Sequence, residues 1–280
     1  MDIAKTIKIM LAVILAAGAL FSCGKKKADS KTDNELTVTF FDVGKADSIL
    51  LRTDNSTVII DCGEKGDGKE IVSTLEEQGV DTVDYLIITH YDKDHIGGAA
   101  KVIKSLDIKN ILAPDYIEES EEYDKYCKAV AEKEIEPKLL TEDMEFALDG
   151  VSYTVNAPKK DFYGEENDND FSLVTKAVHG GNTLLFTGDA TEQRLDEIMG
   201  IGKCTLLKLP YHGRKIGNLE EFLSAVSPQN IIVCTSKREF ASKVQNLLLE
   251  SRIPTYSTCF NGKINAVSDG EHIKITTEKG

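Results

Sequence analysis

The sequence predicts a mixed α and β fold, two β-sheets packed face to face with helices on their outer sides, a four-layer αββα sandwich. Three observations point there. The chain opens with short apolar runs at strand spacing, continues as alternating strands and helices, and has enough length after its first few dozen residues for one domain with a sizeable core. No internal repeat interrupts that order.

Taken in order, strands are expected near Leu36 to Asp42, Ser48 to Arg52 and Thr57 to Ile60, followed by a helix across Lys69 to Glu77. Val83 to Ile88 reads as a buried strand, and Gly97 to Ile103 opens a helix. A strand at Asn110 to Ala113 precedes a charged helix around Glu119 to Glu134, whose acidic start reads as a solvated face. Asp149-Gly150 is a turn between strands Glu145 to Leu148 and Val151 to Val155. Val178-His179-Gly180-Gly181-Asn182 reads as a hairpin turn, which puts His179 at the surface. Leu184 to Asp189 is a further apolar strand, and Thr191, Leu195, Ile198 and Met199 trace an amphipathic helix capped by threonine. Leu206 to His212 is another strand, and Ile231 to Val233, Val244 to Leu249 and Ile264 to Ile275 close the chain as strand, helix, strand.

The front of the chain has a separate logic. Lys5 and Lys8 precede an apolar run from Ile9 to Leu20, short for a spanning helix, which needs about 20 residues, so that an uncleaved anchor is the alternative to a cleaved leader. Leu20-Phe21-Ser22-Cys23 resembles a bacterial lipobox, so residues 1–22 are expected to be a signal peptide and Cys23 a lipidated N-terminus. Acyl chains contribute about 0.8 kcal/mol per buried methylene, enough for durable attachment to a membrane. Residues 23–34 form a polar tether, residues 35–280 the folded domain, and the protein is placed on the extracytoplasmic face of a bacterial membrane.

The chemistry concentrates at strand ends. Thr89-His90-Tyr91-Asp92-Lys93-Asp94-His95 sets two imidazoles and two carboxylates in one strand-to-helix turn. Two other strands end in Asp189 and His212. Gathering carboxylates away from water without a counter-charge is costly, and a divalent cation supplies that charge while using neutral imidazole as well.

This constellation resembles the metallo-β-lactamase fold, and within it the hydrolase domain of the ComEC competence proteins. Phe40-Phe41-Asp42-Val43-Gly44-Lys45-Ala46-Asp47 is similar to that branch's D-V-G-Q-G-D turn, with Lys45 and Ala46 as departures, and Val58-Ile59-Ile60-Asp61-Cys62-Gly63 to its apolar strand followed by D-x-G. The resemblance implies one or two divalent ions, zinc or manganese. His90 and Asp92 would belong to one position and Asp94, His95 and His212 to the other, with Asp189 bridging. Asp42, Asp47 and Asp61 would stand behind these ligands. Aspartate at position 92, where most of the fold's hydrolases have histidine, favours the ComEC-like branch and hardens the site toward manganese. The segment Asn167-Asp168-Asn169-Asp170-Phe171-Ser172 resembles that branch's N-D-N-S-L-V, so Asn169 and Ser172 are candidates to contact substrate. The final family motif H-H-G-S stands here as Tyr211-His212-Gly213-Arg214.

With 33 basic and 47 acidic residues the chain carries −14; the leader has Lys5 and Lys8 against Asp2, so the chain from Cys23 onward carries −15. Such a body repels duplex DNA at long range and argues against a broad groove tracking its backbone. Lys208, Arg214 and Lys215 around His212 are nonetheless candidates to hold a phosphodiester locally. Cysteine does not form a disulfide framework: beyond Cys23 the number is odd, and Cys62 and Cys234 read as small buried hydrophobes. The expected activity is metal-assisted hydrolysis of extracellular DNA or nucleotide fragments, with Asp94 accepting a proton and His212 orienting the second ion. Phe171, Tyr211 and Arg214 keep open a degenerate lipoprotein that binds without turnover, and the fold keeps open a lactonase or β-lactamase.

Overall fold

The computed structural model describes residues 34–164 and 168–280. The expected signal peptide, the expected lipidation site Cys23, the expected tether up to residue 33, and Asn167 lie outside the described residues.

Two large sheets dominate the described chain. The first runs Ile273–Thr277, Ile264–Ser268, Leu36–Phe40, Ser48–Arg52, Thr57–Cys62, Tyr85–Ile87, Ile111–Pro114 and Lys138–Leu140. The second runs Thr255–Ser257, Asn230–Val233, Leu206–Lys208, Asn182–Phe186, Val174–His179, Val151–Asn156 and Met144–Leu148. Each sheet is antiparallel on one side and parallel on the other. The parallel strands are apolar on both faces because both faces are covered.

Alternation along a strand explains the layers. In Thr57–Cys62, Val58 and Ile60 point inward to meet Phe186 and Leu206 of the other sheet, while Ile59 points outward among Ile71, Leu75 and Val102 of the covering helices. Helices Gly68–Glu77, Ala99–Ser105 and Glu121–Glu132 cover the first sheet. Glu192–Ile198, Leu219–Val226 and Ser242–Ser251 cover the second through Leu195, Phe222 and Val244. Each such aliphatic or aromatic side chain contributes about 1.5–3 kcal/mol by leaving water. The four-layer αββα order is therefore the observed one.

Three expectations are corrected. Ile264 to Ile275 is not one strand: Asp269-Gly270 turns the chain back, giving the antiparallel pair Ile264–Ser268 and Ile273–Thr277. The helix Leu219–Val226 and the short strands Lys138–Leu140 and Thr255–Ser257 were not anticipated. The Gly180-Gly181 turn does form, with His179 opposite Asn182, but His179 is buried. The hairpin folds onto the turn of the first sheet, where Gly181 N–H donates to Gly270 O and His179 Nδ1 meets Ser268 Oγ at 2.9 Å.

Candidate metal centre

The parallel strands of both sheets end at the same edge, so short turns after them meet in one place. Asp61 follows Ile60, His90 to His95 follow Tyr85–Ile87, Asp189 follows Asn182–Phe186, and His212 follows Leu206–Lys208. Gly188, at φ +51°, packs so closely on Thr89 and Ser172 that a Cβ there would lie 2.9 Å from Thr89 Cβ. Glycine lets the Asp189 turn approach the turn carrying the histidines.

Each imidazole is held at its Nδ1. His95 Nδ1 lies 2.8 Å from Asp61 Oδ2, and His212 Nδ1 lies 3.0 Å from the Cys234 carbonyl. Thr89 Oγ1 donates to Asp61 Oδ2 at 2.6 Å, so it accepts from His90 Nδ1 at 3.1 Å. These partners suit a proton on each Nδ1 and turn each Nε2 toward the cluster, where it can act as a metal ligand once deprotonated. His95 Nε2 and His212 Nε2 are 3.3 Å apart, Asp189 Oδ2 is 2.9 Å from His212 Nε2 and 3.5 Å from His95 Nε2, and Asp94 Oδ2 is 3.6 Å from His212 Nε2. His90 Nε2, 3.6 Å from Asp92 Oδ2, is buried with no hydrogen-bond partner.

The electrostatics favour positive charge here. Burial works against ionised His95, yet Asp189 and Asp61 outweigh it and hold its pKa well above the ordinary value. Burial likewise opposes ionised Asp189, but His212 and His95 pull it well below the usual carboxylate range. Asp94 is lowered in the same way by His95 and His212.

A divalent cation fits these residues. Two imidazole nitrogens facing each other across 3.3 Å, with carboxylate oxygens beside them and the unbonded Nε2 of His90 nearby, are mutually repulsive unless a cation or protons lie among them. Asp94, His95 and His212 lie within ligand reach of one another, and so do His90, His95 and Asp189, so the donors overlap at His95, while Asp92 lies 3.6 Å from His90. Elemental analysis of the purified protein is expected to find at least part of an equivalent of transition metal, falling in His95→Ala. Wild type that holds no metal after reconstitution would rule this out.

Other predicted site residues divide. Asp61 stands behind His95 as expected. Asp47 is buried beside His212, with Oδ1 3.5 Å from Nδ1. Asn169 and Arg214 line the cleft in front of the cluster. The structure corrects four others. Asp42 pairs with Lys279 at 2.9 Å rather than standing behind a ligand. Ser172 is fully buried, and its Oγ accepts from the Asp189 N–H at 3.1 Å, so it shapes a turn instead of facing substrate. Lys208 is fully buried in an ion pair with Asp47, 3.6 Å from Asp189 Oδ1, and donates to the Gly188 carbonyl at 3.0 Å. Lys208 has no side-chain surface to offer a phosphodiester. Lys215 is exposed and outside the cleft lining.

Sequence reasoning missed Thr89, which ties Asp61, His90 and His95 together, although its place directly before His90 was a signal. It also gave no role to Tyr211, whose ring lines the cleft with Arg214 5.0 Å above it. Arg214 is held there by Glu239. The cleft is about 300 Å³ and also takes in Lys45, Lys93, Glu118 and Glu122.

Comparison with known proteins agrees with this geometry. Competence protein ComA of Neisseria gonorrhoeae is 30% identical over 225 residues, 78% of this chain and 29% of that protein. ComE operon protein 3 of Bacillus subtilis is 27% identical over 203 residues, 70% and 26% of the two chains. The chain thus spans less than a third of the length of these relatives. The crystal structure of the metallo-beta-lactamase fold protein YhfI from Bacillus subtilis superposes with a TM-score of 0.56 at 11% identity, covering 87% of this chain and 100% of that one, a likeness of fold. The profile of the metallo-beta-lactamase superfamily matches residues 41–236, a stretch containing every donor described above. Its first matched residue is Phe41, directly after the first strand, and on this match the chain belongs to the metallo-β-lactamase superfamily.

Proposed function

We propose that the protein is a metal-dependent hydrolase of phosphodiesters, DNA or nucleotide fragments, carried on the extracytoplasmic face of a bacterial membrane by lipid on Cys23. The observation that carries the hydrolase reading is the shared orientation of three imidazoles, each engaged at Nδ1 by the protein with its Nε2 turned into the cluster. Relatives named as competence proteins favour DNA as the source of the phosphodiester.

The residues divide the work. Asp94, His95, His212 and Asp189 would hold one ion, and His90 and Asp92 a second that shares Asp189. Such an ion supplies Lewis acidity toward a phosphoryl oxygen and toward water. Asp61 and the Cys234 carbonyl fix the rings of His95 and His212, and Thr89 fixes Asp61. Asp94, at the cleft wall, would accept a proton. Asp92, Asp94, Asp189, Glu118 and Glu122 outnumber Lys45, Lys93 and Arg214 along that wall. An anionic substrate therefore meets a repulsive cleft until a cation reverses its sign, which is the physical reason to expect metal dependence.

The test is hydrolysis of a bis-aryl phosphodiester and of single-stranded DNA by the purified protein, with manganese or zinc and with a chelator. Turnover that needs the metal is the expected result, and no turnover of either substrate in any metal overturns the hydrolase reading. A panel with a lactone and a β-lactam separates the other chemistries of the fold. For the anchor, Cys23→Ser should leave the protein soluble or unprocessed, because its acyl chains are gone. Unchanged membrane fractionation and processing would exclude lipidation.

A further inference from the structure

The turn between Leu36–Phe40 and Ser48–Arg52 leans over the histidine turn. Gly44, at φ +72°, reverses the chain, and the Asp47 N–H donates to the Asp94 carbonyl at 3.1 Å. Ala46 beside it is fully buried. Lys45 is thereby delivered to the cleft wall with its Nζ 3.1 Å from Asp94 Oδ2 and 3.8 Å from Glu64 Oε1.

That contact falls on a particular oxygen. Asp94 Oδ2 is also the oxygen 3.6 Å from His212 Nε2, so a single carboxylate oxygen has an imidazole nitrogen on one side and an ammonium on the other. A divalent ion bound by Asp94 and His212 would meet Lys45 as a like charge at close range. Lys208, the other lysine near the cluster, is sealed by Asp47 and cannot withdraw. Lys45 can: its side chain is 29% exposed, Glu64 offers a second partner, and the cleft lies in front of it. Among the described residues, the other cations along the cleft are Lys93 and Arg214, and Arg214 is already held by Glu239.

Building on the phosphodiester reading, we propose that Lys45 is the anion-binding residue of this cleft and that its ammonium competes with a divalent cation for the Asp94 carboxylate. The two roles are linked. An ion that takes Asp94 displaces the ammonium, and an anion in the cleft gives it a new partner, so metal and anion favour each other's binding. Lysine suits this better than arginine's rigid fork, because its compact charge on a flexible stem moves between partners.

The two roles predict effects of opposite sign from one substitution, which loss of structure alone would not produce. In the full chain in detergent, Lys45→Gln should tighten zinc binding about fivefold, measured by competition with a chromophoric chelator. The same variant, saturated with zinc, should bind inorganic phosphate about tenfold more weakly by calorimetry. Lys45→Arg should restore phosphate binding. Zinc affinity that is unchanged or weaker in Lys45→Gln, or phosphate affinity that is unchanged, overturns the proposal. Both measurements are independent of turnover: if they come out as expected while wild type hydrolyses no phosphodiester, Lys45 keeps its role and the hydrolase reading falls alone.

Discussion

Asp189→Ala is expected to lower phosphodiester turnover by about two orders of magnitude or more, the scale seen when a group acting on transition-state charge is removed. Asp189 Oδ2 touches both His212 and His95, and its Oδ1 faces Lys208. Its loss removes the carboxylate both candidate ion positions would share, so metal content and turnover should fall together. Glu121→Ala is the matched control. That carboxylate is exposed on the helix Glu121–Glu132 and pairs with Lys125 one turn on, a contact of little energetic weight. Steady-state kinetics and elemental analysis on the two variants decide the matter. Wild type that binds a ligand Asp189→Ala cannot bind, yet hydrolyses no phosphodiester with any metal, would replace the enzyme with a binding protein.

Lys208→Met is expected to cost about 3–5 kcal/mol of folding stability, read from the shift in denaturant midpoint. Lys208 and Asp47 are both sealed from water, and removing one leaves the other charge buried without its partner. Adding Asp47→Asn to Lys208→Met should recover much of the loss, since no unpaired charge then remains. Equal stability of Lys208→Met and wild type would show that the pair is solvated in solution. The lysine's electrostatics agree with this role: burial alone would lower its pKa, but Asp47 and Asp189 raise it above the ordinary value.

Lys208 also shows where the sequence stopped being readable. The strand-end chemistry of His90 to His95, Asp189 and His212 was legible because each piece is local: an apolar strand, then a turn rich in donors. The layer order was legible for the same reason, since helix and strand periods are properties of a few consecutive residues. What a side chain meets across the fold is not local. Lys208 reads as a cation near a strand end, but its burial is decided by Asp47, in a turn between two strands of the other sheet. His179 sits in a true hairpin and is buried only because Ser268 and the turn after it pack against that hairpin. Ser172 looked like a substrate contact and instead holds the turn before Asp189. The missed hairpin near the C-terminus differs, because Asp269-Gly270 is a turn signal present in the sequence and passed over. Lys45 stood out as a departure from the ComEC-like turn, but its partner Asp94 could be assigned only when the turn was seen to lean on the histidines.

The elbow carrying His212 has a wider consequence. Tyr211, His212 and Gly213 have φ values of +50°, +51° and +73°, three successive residues in the left-handed region, and only the last is glycine. The chain there coils briefly with the opposite hand to every helix around it. That handedness costs about 1–2 kcal/mol for each non-glycine residue, against a net stability of about 5–15 kcal/mol for a typical domain. A glycine at position 211 would relax the coil, but it would also remove a ring that packs on the core of the second sheet and on which Arg214 rests. The strained elbow and the wall of the cleft are therefore one feature: the left-handed turn that aims His212 inward also holds the Tyr211 ring against the core and under Arg214.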